Sequence, residues 1–281
     1  MLPVTSGREY ESGEYIDEWG CRFVNVQSGI IGVVRQPRLA DWSALEGFHP
    51  PPETLTVDVE AVNAFCRGEK RFVLAGCCPR PFERLQFLRS TEAAMLDLVT
   101  QPPELEALLK LIHDHYCREV EIWSRTDVNG ISFMDDWGAQ TGPLTSPALF
   151  RRYFLPMYRD YANIARSRGK YVFMHSDGHI AAFLQDLLDA GVQALNSQLF
   201  CMDIPAIGET CRGRLTFWGE IDRQNLLPRG STEDIREAVR KVHRHLWADG
   251  GCIAQCEFGP GAKPENVWTV FDEWDRVTSK K

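Results

Sequence analysis

The 281-residue sequence has no run approaching the ~18 apolar residues of a membrane-spanning helix, and its opening, MLPVTSGREYESGEY, is too polar for the core of a secretion signal. The expectation is a cytoplasmic protein with no membrane partner. Positive charge is also short: 31 Lys+Arg stand against 39 Asp+Glu, a formal net charge of -8, which leaves no electrostatic footprint for nucleic acid. GxSxG, Walker A, GxGxxG and HEXXH stretches are missing, so serine hydrolase, P-loop and simple dinucleotide chemistry lose their local signatures. There is no CxxC. Cys77 and Cys78 are adjacent and Cys252 and Cys256 are four apart, which excludes zinc-ribbon spacing, and nine scattered cysteines read as reduced, mostly buried thiols. Any metal site must therefore be assembled from distant segments. His113 with His115, and His243 with His245, lie two apart on helical patterns and read as surface residues.

What is present is an ordinary globular composition, 44% hydrophobic and 25% charged, with a length that suits one α/β barrel. The first 70 or so residues hold two β-like runs, CRFVNV (21–26) and IIGVV (30–34), which predict a hairpin, then a short helix over 56–66. From Arg71 onward a short apolar run is followed by an amphipathic one, six times over. The strands predicted are 72–76, 131–135, 171–175, 194–198, 215–219 and 252–256. Helices are predicted over 103–125, over 146–168 with Ser146 as cap, and from Ser231 to about Trp247. Such alternation predicts a parallel sheet, and with no linker or repeat the whole of 1–281 reads as one domain.

Parallel α/β folds present ligands with the C-terminal ends of their strands. Those ends carry Cys77, Asp135 with Asp136, His175 with Asp177, Gln198, Glu220 with Asp222, and Cys256 with Glu257. A His, a Cys and several carboxylates gathered on one face supply zinc-ligand types. Each residue also has a bland alternative: Asp177 as a helix cap, Cys256 as a small hydrophobe, Glu220 as a solvated turn residue, Asp135 as a turn initiator and Trp137 as core.

Together, Phe82 to Leu98, Asp135 to Tyr158, HSDGHI (175–180), WGEID (218–222) and CEFGPGAKPENV (256–267) resemble the uroporphyrinogen decarboxylase superfamily, which includes cobalamin-dependent methyltransferases. The resemblance implies a TIM-type (β/α)8 barrel whose first strand-helix unit is lacking or replaced by the N-terminal hairpin. In the methyltransferase branch zinc is held by a His-x-Cys pair and a late Cys. His175 and Cys256 match two of these, while Asp177 stands in place of the first Cys and Gln198 in place of an additional Glu ligand. The implied metal set is His175, Asp177 and Cys256. Asp135, Asp136 and Glu220 are the implied acid/base or orienting groups, with Trp137, Gln140 and Gln198 against the substrate. An Asp in place of a thiolate hardens zinc and favours an oxygen substrate. The resulting expectation is methyl transfer between a methoxyl-type substrate and cobalamin or a corrinoid protein. A decarboxylase-like lyase and a non-catalytic barrel binding a small ligand or corrinoid protein stand as alternatives. The arginine-rich segment of the decarboxylase branch is missing, with only Arg35 and Arg38 in its vicinity.

Overall fold

The computed structural model describes residues 6–29, 31–219, 221–259 and 261–279, which fall into two compact units. One comprises Met1–Ile131 with Arg152–Lys170, the other Ser132–Arg151 with Tyr171–Lys281. Among the described residues no helix is long and apolar enough to cross a membrane.

The first unit opens with an antiparallel sheet of β1 (Gly13–Ile16), β2 (Arg22–Asn25) and β3 (Val33–Gln36) in that order. Phe23 pairs with Val34 and Val24 with Val33, beside a register shift at Arg22/Phe23. The second strand of this hairpin begins three residues later than the apolar pattern suggests, and Ile30, inside the expected strand, lies outside the described residues. Helices α1 (Val59–Gly68), α2 (Pro81–Arg89), α3 (Thr91–Thr100) and α4 (Pro103–Ser124) follow. Asp58 caps α1 by accepting from Ala61 N, which places its start three residues past the expected one. On α4 the i, i+3, i+4 positions Leu105, Leu108, Leu109, Ile112, Tyr116 and Val120 are buried as one stripe. Two guanidinium groups are buried with them. Arg84 meets Asp17 at 2.6 Å and Arg89 meets Asp97 at 2.8 Å, so each charge has a close partner.

In place of one helix over 146–168 there are two, α5 (Pro147–Tyr153) and α6 (Leu155–Ser167). Pro156 at the second position of α6 has no N–H for the Arg152 carbonyl four residues back, and its ring collides with that carbonyl in a continuous helix.

The parallel sheet has the order β4 (Gly130–Met134), β5 (Tyr171–Ser176), β6 (Ala194–Ser197), β7 (Thr216–Gly219), β8 (Cys252–Ala254). Each begins or ends within two residues of the expected strand. The remaining predicted strand, 72–76, survives as a single parallel bridge from Leu74 to Gly130. Helices α7 (Leu184–Ala190), α8 (Ile204–Cys211), α9 (Leu226–Arg229), α10 (Thr232–Leu246) and α11 (Pro264–Thr278) complete the second unit. Ser231 and Asp234 close a reciprocal capping box at the start of α10. That helix buries Ile235, Ala238, Val239, Val242 and Leu246, and packs on α11, where Glu273 accepts from both Arg240 and Arg276.

Candidate functional site

The loops leaving β4 and β5 are fastened to each other by their backbones. Gly138 N donates to the Asp177 carbonyl at 3.1 Å, His179 N to the Ala139 carbonyl at 2.8 Å, and Asp177 N to Asp136 Oδ1 at 2.9 Å. This places Asp136 Oδ1 3.5 Å from His175 Nε2, with Asp177 Oδ1 3.8 Å from the same nitrogen. The three side chains form a group whose donor atoms all lie within 4.8 Å of one another.

His175 is oriented from behind by a residue that sequence reasoning missed. The register of β5 on β6 sets His175 opposite Asn196, whose Oδ1 is hydrogen-bonded to His175 Nδ1. Asn196 Nδ2 donates to the Trp218 carbonyl at 2.8 Å, so the amide must present its oxygen to the ring. Nδ1 therefore carries the proton, and Nε2 is the atom turned to the carboxylates. Burial opposes a charge on this ring, but Asp136, Asn196 and the charge of Asp177 outweigh it and push His175 up to about 9.

Arg223 was also missed. It follows β7 by four residues, its Nη2 sits 2.6 Å from Asp177 Oδ2, and Nη1 pairs with Glu257. Asp177 thus offers one oxygen to the histidine and the other to a guanidinium, and the helices after β5 take no cap from it. The signals were present but faint: Asn196 is a polar residue within a buried strand, and Arg223 extends the WGEID turn.

Among the expected site residues the structure separates two groups. Asp136, His175 and Asp177 converge. Asp135 does not join them: it is 0% exposed and outside the donor group. Trp137 is 1% exposed, with its ring edge-on to Phe150 at 4.8 Å and near Phe183 at 5.9 Å, so it belongs to the core instead of covering a substrate. Cys256 is buried and outside the donor group, where Asp136 stands as third member. Glu257, its neighbour, is the residue tied in through Arg223. Glu220 lies outside the described residues. Gln198 and Gln140 do meet: Gln198 Oε1 accepts from Gly178 N at 2.9 Å and from Gln140 Nε2 at 3.3 Å. Both line a small cleft of about 60 Å³ with Phe200, Cys201, Asp222 and Asn225. In the other unit, His115 is a correction of the surface reading. It is 5% exposed, with Nε2 2.8 Å from Thr54 Oγ1 and its ring edge-on to Trp19.

No curated protein matches the chain. Among solved structures, a methyltransferase from Methanosarcina mazei superposes with a TM-score of 0.68 at 18% identity, over 93% of this chain and 77% of that one. A dihydropteroate synthase from Anaplasma phagocytophilum (TM-score 0.38, 18% identity, 61% and 69% coverage) and a D-psicose 3-epimerase (0.44, 12%, 80% and 86%) overlap more loosely. The family model described as uroporphyrinogen decarboxylase (URO-D) matches residues 16–277. The fold class is accordingly α/β of the TIM-barrel type, and the chain belongs to the uroporphyrinogen decarboxylase family.

Proposed function

We propose that the chain is a methyltransferase that moves a methyl group between a methoxyl-type oxygen substrate and cobalamin or a corrinoid protein, using zinc held by Asp136, His175 and Asp177. The observation that carries this reading is the convergence of those three donors around an imidazole whose Nδ1 is already committed to Asn196. Tetrahedral zinc with bonds of 2.0–2.1 Å needs neighbouring donors roughly 3.3 Å apart. Separations of 3.5 and 3.8 Å from His175 Nε2 fit such a cage with small side-chain movements. One imidazole and two carboxylates, without a thiolate, form a hard donor set that suits a Lewis acid acting on oxygen. Bound there, the ion would polarise the substrate oxygen from which the methyl group leaves.

The chain's own residues do the rest. Asn196 holds the tautomer in which Nε2 is the ligand. Arg223 balances the outer oxygen of Asp177 and keeps its inner oxygen turned inward. Gln198, with its carbonyl oxygen engaged by Gly178, has an amide N–H₂ without a partner among the described residues, a donor for a substrate oxygen at the adjoining cleft. The test is metal analysis of protein prepared without chelators, joined to cobalamin spectra recorded with methoxyl donors. About one equivalent of zinc, lost in His175→Ala, and cobalt methylation support the proposal. Less than half an equivalent, or no methylation with any donor, counts against it.

A second reading, a decarboxylase-like lyase without metal, is favoured by one observation: Arg223 supplies at the site a cation able to stabilise a developing carbanion. Release of carbon dioxide from a carboxylated tetrapyrrole, abolished in Arg223→Met, distinguishes it.

A further inference from the structure

The first unit contains a cavity of about 490 Å³ that shares no residue with the Asp136, His175 and Asp177 group. Six aromatic side chains line it: Tyr15, Trp19, Phe23, Phe87, Tyr116 and Trp123. Gly76 at the same wall leaves room for the Trp123 ring, since a Cβ there would lie 2.9 Å from it. Five acidic residues, Glu9, Asp17, Glu18, Glu53 and Glu119, face two arginines, Arg80 and Arg84. His115 adds no positive charge at neutral pH, because burial and the nearby Arg84 and Arg118 hold it down at about 4.

Both arginines have acidic partners. Arg84 lies 2.6 Å from Asp17 and 3.6 Å from Glu18, with its guanidinium over Trp19 at 4.6 Å. Arg80 lies 4.0 Å from Glu83. Glu119 has no hydrogen bond or ion pair among the described residues, and burial together with Glu18 pushes its carboxyl up to about 7 against the opposing charges of Arg84 and Arg80. Tyr15 is 5% exposed, and its hydroxyl has no hydrogen-bond partner among the described residues. An acid-rich, aromatic-walled cavity with a carboxyl group and a phenol both lacking hydrogen-bond partners among the described residues has the composition of a cation site.

We infer that this cavity binds a small organic cation, an amine or quaternary ammonium with an apolar body, held by the Glu119 carboxylate, the Tyr15 hydroxyl oxygen and the surrounding ring faces. This does not rest on the metal reading of the other site, because it uses different residues and different chemistry.

Calorimetric titration of the full chain at pH 8 with benzyltrimethylammonium, benzyl alcohol and benzoate tests it through ligand charge alone. The cation should bind at least about ten-fold more tightly than the other two, with Kd near or below about 1 mM. Glu119→Gln should weaken the cation about ten-fold and Tyr15→Phe several-fold, whereas Asp136→Asn should leave binding unchanged. Benzoate binding as tightly as the cation would overturn the inference. So would absence of heat up to about 10 mM cation, or binding lost in Asp136→Asn and retained in Glu119→Gln.

Discussion

Gly178→Ala is a demanding test of how the candidate site is built. Gly178 has φ +78°, a conformation that costs an L-residue about 1–2 kcal/mol. A Cβ there would also lie 2.0 Å from the Gly138 carbonyl oxygen and 2.2 Å from its carbon. These are backbone atoms fixed by the ladder between the loops after β4 and β5, so no side-chain rotation relieves the overlap. Either the loops part, which breaks the Gly138 N to Asp177 and His179 N to Ala139 bonds, or the fold carries the strain. Two lost backbone hydrogen bonds at about 1 kcal/mol each, added to the φ cost, give about 3–4 kcal/mol. For a chain of this size that is a melting temperature lower by roughly 5–7 °C. Gly142→Ala, where a Cβ meets nothing within 4 Å, is the control and should stay within about 1 °C. Thermal unfolding followed by circular dichroism reads both. If Gly178→Ala melted within about 2 °C of the parent, the close apposition of the two loops would be refuted, and with it the placement of Asp136 beside His175.

At the proposed zinc site, Asn196→Ala should lower zinc affinity about 10- to 100-fold, because Nδ1 loses the partner that fixes its proton; competition with a chromophoric chelator measures this. Ser231→Ala removes the oxygen that accepts from Asp234 N and should cost about 1 kcal/mol in urea unfolding. Glu273 is held down at about 2, chiefly by its hydrogen bond from Arg276 with Arg240 second among its partners. A depressed folded value means that its stabilisation is fully present above the ordinary 4.5 and is lost as pH falls through about 2. Glu273→Gln should therefore be less stable than the parent at neutral pH, with the difference shrinking between pH 4.5 and 2; equal gaps at pH 7 and pH 2 in acid titrations would contradict this.

The parts of this architecture that could be read from the sequence are those written in local pattern. Phe173, Met174, Ala194, Leu195 and Phe217 lie in runs short and apolar enough to mark buried strands, and family resemblance joined those runs into one fold class, which the match over 16–277 bears out. β1 escaped because GEYI is four residues long and exposed over its first half. The break before α6 depended on one proline within an otherwise continuous helical period. At the site, residue type pointed to His175 and Asp177, but which carboxylate would accompany them depended on side-chain direction. Asp135 and Asp136 are indistinguishable by composition; only the twist of the chain leaving β4 turns one inward and the other toward His175. Asn196 and Arg223 act through long-range pairings, with β5 and with the loops after β5 and β8, that no local spacing encodes.

Arg223 joins those two loops through a single side chain. A dissolved anion or an acidic substrate group that competes for the guanidinium would release Asp177 and Glu257 in the same event. The two carboxylates share one cation, and its removal would leave both without it.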